Sequence, residues 1–189
     1  MKLNDRCFVK SGMKYALILL LMLSTSATVI SAQPREADPA DVGSIDQILK
    51  AVYDVISGDA GVERDWDRLR TLFHKDARLI PSGRNAQTGM TAASVMSVED
   101  YITANAPFFK NNGFHEREVA RRVDRYGTLA HAFSTYEAFR KREEKTPFMR
   151  GINSIQLLYD GKRWWVMSIF WLAETPDNPL PSEYLKGRN

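Results

Sequence analysis

His115, Tyr136 and Asn153, with Ser134 and Arg117 close by, offer an imidazole, a phenol and an amide that could work on one substrate. Imidazole titrates near neutral pH and can take or give a proton, and a nearby hydroxyl or amide can hold the charge that results. His115 and Tyr136 are therefore the candidate catalytic pair. The plainer alternative is a rim histidine hydrogen-bonded to a strand tyrosine. His131, with Glu137 and Arg150, reads as a cross-strand polar network. His74 falls just after a helix end, where imidazole meets free backbone carbonyls. Three histidines spread over a helix end and two sheet faces do not make a metal site, and none is expected. Arg117, Arg121 and Arg122 alternate with Glu116, Glu118 and Asp124, the pattern of a solvated strand rather than a phosphate site. No glycine-rich loop follows a strand and no serine sits in a nucleophile elbow, so no nucleotide or other cofactor is expected.

Caps and hydrophobic periods give the helices and strands that carry these side chains. Ser44 caps a helix carrying Ile45, Ile48, Leu49, Val52 and Ile56 at helical spacing, ended by Gly58. Asp65 caps a second helix with Trp66, Leu69, Leu72 and Phe73 on one side. Ala77–Ile80 reads as a short strand stopped by Pro81, Ser82–Thr91 as loop, and Ala92–Met96 as a second strand. Ser97 caps a third helix with Val98, Tyr101, Ile102 and Phe109 inward and Asn105 the one polar member of that stripe. From Phe114 the pattern becomes long strands: Phe114–Asp124, Thr128–Arg140, Phe148–Tyr159 and Arg163–Leu172. Short turns at Tyr126-Gly127 and Asp160-Gly161 join them into an antiparallel meander. The fold class is α+β, three N-terminal helices packed on a curved, mainly antiparallel sheet.

Strand alternation divides the meander into two faces. One carries His115, Arg117, Val119, Ala130, Ala132, Ser134, Tyr136, Asn153, Ile155, Leu157, Trp165, Met167, Ile169 and Trp171. The other carries Glu116, Glu118, His131, Phe133, Glu137, Arg150, Ser154, Gln156, Trp164, Val166, Ser168 and Phe170. The first is more apolar and is expected to face the helices. It implies an apolar cavity lined by Ile155, Leu157, Met167, Ile169 and Trp171, with Tyr53 entering from the first helix and a polar end at His115, Tyr136 and Asn153. Such a cavity suits a small apolar or aromatic molecule with polar handles. On the other face Trp164, Val166, Phe170 and Phe133 form an apolar patch, the mark of an interface. The expected partner is a second copy of the chain, and the alternative cover is the proline-rich tail.

The N-terminus reads as a signal peptide over residues 1–32. Lys10 and Lys14 precede an apolar run from Ala16 to Leu23, and Ile30-Ser31-Ala32 offers a cleavage site. Translation could start at Met1 or at Met13. The signal implies export to the periplasm or outside the cell, with no membrane attachment after cleavage. Residues 33–43 read as a flexible leader, 44–174 as the domain and 175–189 as a tail. The whole chain has 26 basic and 23 acidic residues; removing the segment's four bases and one acid leaves 22 of each. A balanced domain has no electrostatic footprint for nucleic acid. The single cysteine, Cys7, lies before the apolar run, so thiol chemistry and disulfides are excluded from the mature chain.

The ordered set Asp65-Trp66, Leu72-Phe73, Asp76-Ala77, Tyr126-Gly127, Ala130 and Asp160-Gly161-Lys162-Arg163-Trp164-Trp165-Val166 resembles the nuclear transport factor 2-like superfamily, including its SnoaL-like members, over roughly residues 44–174. The resemblance implies a cone-shaped fold with a pocket between sheet and helices. That fold hosts isomerases, dehydratases, cyclases, binding proteins and oligomerisation modules, so it does not give function. In the steroid-isomerase branch, a tyrosine on the first helix matches Tyr53. The branch's catalytic aspartate, just before a proline, corresponds to Ile80, which cannot take a proton. The preferred expectation is a small-molecule-binding domain. The rivals are a lyase or isomerase with His115 as base, and a non-catalytic homodimerisation module.

Overall fold

The computed structural model describes residues 35–85 and 87–187. The signal segment, Cys7 and the cleavage site lie outside the described residues. Among the described residues four α-helices, α1 (Pro39–Val42), α2 (Ile45–Ile56), α3 (Trp66–Leu72) and α4 (Val98–Asn111), accompany six strands. These are β1 (Phe73–Arg84), β2 (Thr91–Ala93), β3 (His115–Tyr126), β4 (Leu129–Phe139), β5 (Met149–Tyr159) and β6 (Trp164–Ala173). The sheet order is β2-β1-β6-β5-β4-β3; every neighbouring pair is antiparallel except β1 with β6. The expected meander is thus β3 to β6, extended by two earlier strands.

The helices start where their caps put them. The Ser44 hydroxyl accepts from Gln47 N, the Asp65 carboxylate accepts from Arg68 N, and Ser97 with Asp100 closes a reciprocal capping box. Each such cap is worth about 1 kcal/mol. α2 buries Ile48, Leu49, Ala51, Val52, Tyr53 and Val55 against the sheet. Its C-terminal loop is held by Arg64, whose buried guanidinium donates to the carbonyls of Ile56, Gly58, Asp59 and Val62. A side chain at Gly58 would occupy that guanidinium's place.

Several readings need correction. The leader contains α1, with Val42 buried and Asp41 paired to Arg68 at 2.7 Å. β1 runs through Pro81 instead of stopping there, because the Pro81 carbonyl still accepts from Ser94 N and its neighbours pair with β6. The tail folds back on the outer sheet face through a 3-10 turn at Ser182–Leu185: Thr135 Oγ1 donates to Tyr184 O, and the Tyr184 ring lies 5.0 Å from that of Phe133.

Register is the larger correction. β4 and β5 face as expected, with Ala130, Ala132, Ser134, Tyr136, Asn153, Ile155 and Leu157 all buried. Bulges reset the flanking strands. In β3, Glu118 lies opposite Tyr136 and the register shifts by Ala120, so Glu116 and Glu118 take the inner sheet face and His115 and Arg117 the other, where His115 is nonetheless buried and Arg117 exposed. Between β5 and β6 the register shifts after Gln156, so Leu157 faces Val166 and Tyr159 faces Trp164. Ile169 and Trp171 keep the inner face, but Trp164 and Val166 replace Trp165 and Met167 in the core. Trp164 therefore belongs to no outer patch. Of the apolar patch proposed for an interface, Phe133 packs on the tail and Phe170 stays 47% exposed.

Candidate functional site

A cavity of about 270 Å³ lies between α4, the end of α2 and the inner sheet face. Its walls are apolar: Ile56, Leu79, Phe109, Phe114, Phe148, Met149, Ile169 and Trp171. Edge-to-face contacts fix several of them. Phe109 and Phe114 meet at 5.0 Å, Phe114 and Phe148 at 6.1 Å, and Tyr101 and Trp171 at 6.3 Å between ring centroids. Polar groups enter this lining from four elements: Tyr101 and Asn105 from α4, Glu116 from β3, Tyr136 from β4 and Asn153 from β5.

Cross-strand pairing brings the polar groups together. Asn153 sits opposite Ser134 on one side and Trp171 on the other. Its Nδ2 donates to Tyr53 Oη at 3.1 Å and reaches Glu116 Oε1 at 3.3 Å. Tyr53 Oη is 2.7 Å from Ser134 Oγ, which donates to Glu118 Oε1 at 2.6 Å. Behind them Glu118 is paired with Arg121 at 3.5 Å, and Arg121 with Asp46 of α2.

Two groups stand apart electrostatically. Burial pushes the Glu116 carboxyl from its usual 4.5 up to about 8, against the pull of the Asn153 hydrogen bond. Tyr136 Oη is the buried side-chain polar atom that lacks a hydrogen-bond partner among the described residues. Burial, and then the nearby Glu116 charge, also hold the Tyr136 and Tyr101 hydroxyls far above their usual range, so both stay protonated donors. Gly151, opposite Tyr136, leaves room for this hydroxyl; a Cβ there would sit 2.7 Å from Oη.

The residues expected at the site separate into three groups. Tyr136, Asn153, Ile169 and Trp171 line the cavity. Tyr53 and Ile155 lie behind its wall, Tyr53 as a hydrogen-bond partner of Asn153 and Ile155 as fully buried core. His115 and Met167 do not line it. His115 turns from Glu116's side of the strand, and its Nε2 lies 2.9 Å from Asp59 Oδ1 in the loop after α2. Met167 is displaced by the β6 irregularity. The structure thus does not bring His115 to Tyr136 as a proton-transfer pair; the carboxyl that lines the cavity with Tyr136 is that of Glu116. The order His-Glu-Arg-Glu at 115–118 contains no apolar alternation, so only the bulge position decides which residues face inward. His131 bonds Ser154 Oγ at 2.9 Å on the outer face, and His74 packs edge-on against Trp165. Among the described residues no group of three or more His, Cys, Asp or Glu could hold a metal ion.

A second depression, about 350 Å³, lies on the outer face between Phe170 and the tail. Its lining is largely apolar, and its one carboxylate, Glu174, is already paired with Arg150. It has no counterpart of the Glu116 carboxyl and the unpartnered Tyr136 hydroxyl among its described lining residues.

No family model matches the sequence, and no curated protein matches it. Solved structures do match. A protein with a cystatin-like fold from Nostoc punctiforme PCC 73102 is 12% identical, covering 78% of this chain and 100% of that one, with a TM-score of 0.53. The Kfla4162 protein from Kribbella flavida is 15% identical over 70% of this chain and 90% of that one, with a TM-score of 0.51. A second protein with a cystatin-like fold, from Caulobacter vibrioides, is 13% identical over 71% and 90% of the two chains, with a TM-score of 0.51. The chain shares the α+β cystatin-like fold of these structures, helices packed on a curved, mainly antiparallel sheet. At these identities the likeness establishes the fold alone, and function must be argued from the cavity.

Proposed function

We propose that this domain binds a small, mostly apolar molecule bearing a carbonyl or hydroxyl group, in the cavity between α4 and the inner sheet face. One observation carries the reading: the buried Tyr136 hydroxyl has no hydrogen-bond partner among the described residues and lies among the polar lining of an otherwise apolar cavity. An unsatisfied buried hydroxyl costs about 1–3 kcal/mol. A ligand oxygen accepting from Tyr136 would remove that cost, and the aromatic walls would take its apolar body. Native mass spectrometry of protein recovered from its own cells tests the reading for a retained ligand. Binding of 2-naphthol, followed through Trp171 fluorescence and weakened by Tyr136→Phe, tests it directly. No retained ligand and no fluorescence change would refute it.

A second reading, a lyase or isomerase, is favoured by the position of Glu116. A carboxyl titrating near 8 in an apolar cavity is matched to general acid–base work at neutral pH. Protonated donors at Tyr136 and Tyr101 line the same space and would stabilise an oxyanion formed by proton abstraction. The base in this reading is Glu116 and not His115. Deuterium incorporation next to the carbonyl of a bound ketone, abolished by Glu116→Gln, would support it.

The basic–apolar–small layout of residues 1–32 supports placing this activity outside the cytoplasm.

A further inference from the structure

We infer that Glu118 is a positioning residue. Through a one-way chain of hydrogen bonds it fixes the Asn153 amide with its N–H toward Glu116. The inference rests on the reading of the cavity as a binding site, and it assigns a role to groups that never touch the cavity.

The direction follows from counting protons. A hydroxyl has one proton to donate. The Ser134 proton goes to Glu118 Oε1 at 2.6 Å, and that carboxylate is set by the Arg121 guanidinium at 3.5 Å and Arg121's pairing with Asp46. The proton between Ser134 Oγ and Tyr53 Oη, 2.7 Å apart, must then come from Tyr53. With its proton committed, Tyr53 Oη can only accept from Asn153, and it does so from Nδ2 at 3.1 Å. The amide's second N–H reaches Glu116 at 3.3 Å. A reversed amide would set Oδ1 against a Tyr53 oxygen with no proton to give. One carboxylate on the far side of Tyr53 thereby decides which end of Asn153 meets Glu116.

Replacing Glu118 by glutamine should reverse the chain. Arg121 will keep the new carbonyl oxygen, since two sets of N–H donors cannot face each other, and so the glutamine amide N–H turns to Ser134. Ser134 then donates to Tyr53, Tyr53 to Asn153 Oδ1, and Glu116 loses its N–H donor. The groups facing Glu116 are Tyr53 on α2, Tyr101 on α4, Glu118 on its own strand, Tyr136 on β4 and Asn153 on β5.

Carboxyl carbon NMR of the full chain with labelled glutamate, assigned by Glu116→Gln, reads the Glu116 titration midpoint without any ligand. The expected result for Glu118→Gln is an upward move of about 0.5–1 pH unit, the worth of one hydrogen bond. Loss of a negative charge alone would move it downward, so the sign separates the chain from simple electrostatics. Ser134→Ala, which cuts the chain without changing charge, should also move it upward and serves if Glu118→Gln fails to fold. Asn153→Ala should abolish the effect of either change. A midpoint that stays or falls in folded Glu118→Gln, or stays in Ser134→Ala, overturns the inference. 2-Naphthol binding at pH 6 is measured separately on the wild type, so failure of the binding reading and failure of the positioning chain give different results.

Discussion

Replacing Glu116 by glutamine should make the stability of this protein far less dependent on pH. In the unfolded chain the carboxyl titrates at its usual 4.5, and in the folded domain burial holds it near 8. Between those values the folded state keeps a proton that the unfolded state releases. The favourable contribution is therefore complete below about pH 4.5 and is lost as pH rises through 8. The gap of about 3.5 pH units, at about 1.36 kcal/mol each, sets the loss at roughly 5 kcal/mol, reduced by whatever water enters the cavity. Glutamine matches the protonated carboxyl in shape, and its carbonyl oxygen can still accept from Asn153 Nδ2, so the variant should equal wild type near pH 5. By pH 8–9 it should be the more stable protein by several kcal/mol. Urea unfolding of both proteins at pH 5, 6, 7, 8 and 9 measures this, and the difference between them cancels every other titrating group. A difference that stays constant within about 1 kcal/mol over the range would refute the account of Glu116.

Tyr136→Phe removes the unpartnered hydroxyl, so the ligand-free protein should be as stable as wild type or up to about 1–3 kcal/mol more stable in urea, while 2-naphthol binding weakens. Gly151→Ala puts a methyl group against Leu172 O and 2.7 Å from Tyr136 Oη; it should destabilise by about 1–3 kcal/mol in the same assay, and a neutral outcome would show that the hydroxyl is not confined. Phe170, 47% exposed on the outer face, should lie at a homodimer interface, so Phe170→Glu should lower the mass seen in sedimentation; a wild type that is already monomeric would remove the claim. N-terminal sequencing of protein from the cell envelope should find Gln33 first, and a product retaining Leu17 would show that the segment is not cleaved.

The helices were legible because their signals are local. Ser44, Asp65 and Ser97 each sit at the cap position, and the apolar residues of α2 recur at a spacing that only a helix can bury on one side. The faces of β4 and β5 were legible for a similar reason: Ala130, Ala132, Ser134 and Tyr136 alternate without interruption, and the hairpin pairs them with Leu157, Ile155, Asn153 and Gly151. Parity failed in β3 and in the first half of β6, where a register shift reverses every side chain beyond it. No residue type announces those shifts. Val119 and Met167 are ordinary strand residues, and the shifts arise from how the strand closes against its neighbours. That single fact moved Glu116 into the cavity and His115 out to Asp59. The Arg121 pairing with Asp46 was hidden for a related reason, since the two are 75 residues apart and meet only when α2 crosses the strand.

The fold tolerates instability at one place, the lining of the inner cavity. Elsewhere in the interior the polar groups satisfy one another: Asn153, Tyr53, Ser134, Glu118 and Arg121 form one continuous network that ends at the exposed Asp46, and Arg64 closes its loop with four carbonyls. A core selected for packing alone would give the Glu116 carboxyl a cation and the Tyr136 hydroxyl an acceptor, or replace both with apolar side chains of similar size. Instead the chain keeps a carboxyl held protonated near neutral pH and a buried hydroxyl with no acceptor among the described residues, both in the lining of one cavity. Each is unfavourable for the empty protein and favourable once an oxygen-bearing molecule occupies the space. Departures from local consistency in otherwise consistent proteins mark functional positions. Here two such departures coincide with apolar walls, and their coincidence distinguishes the inner cavity from the apolar groove beneath the tail.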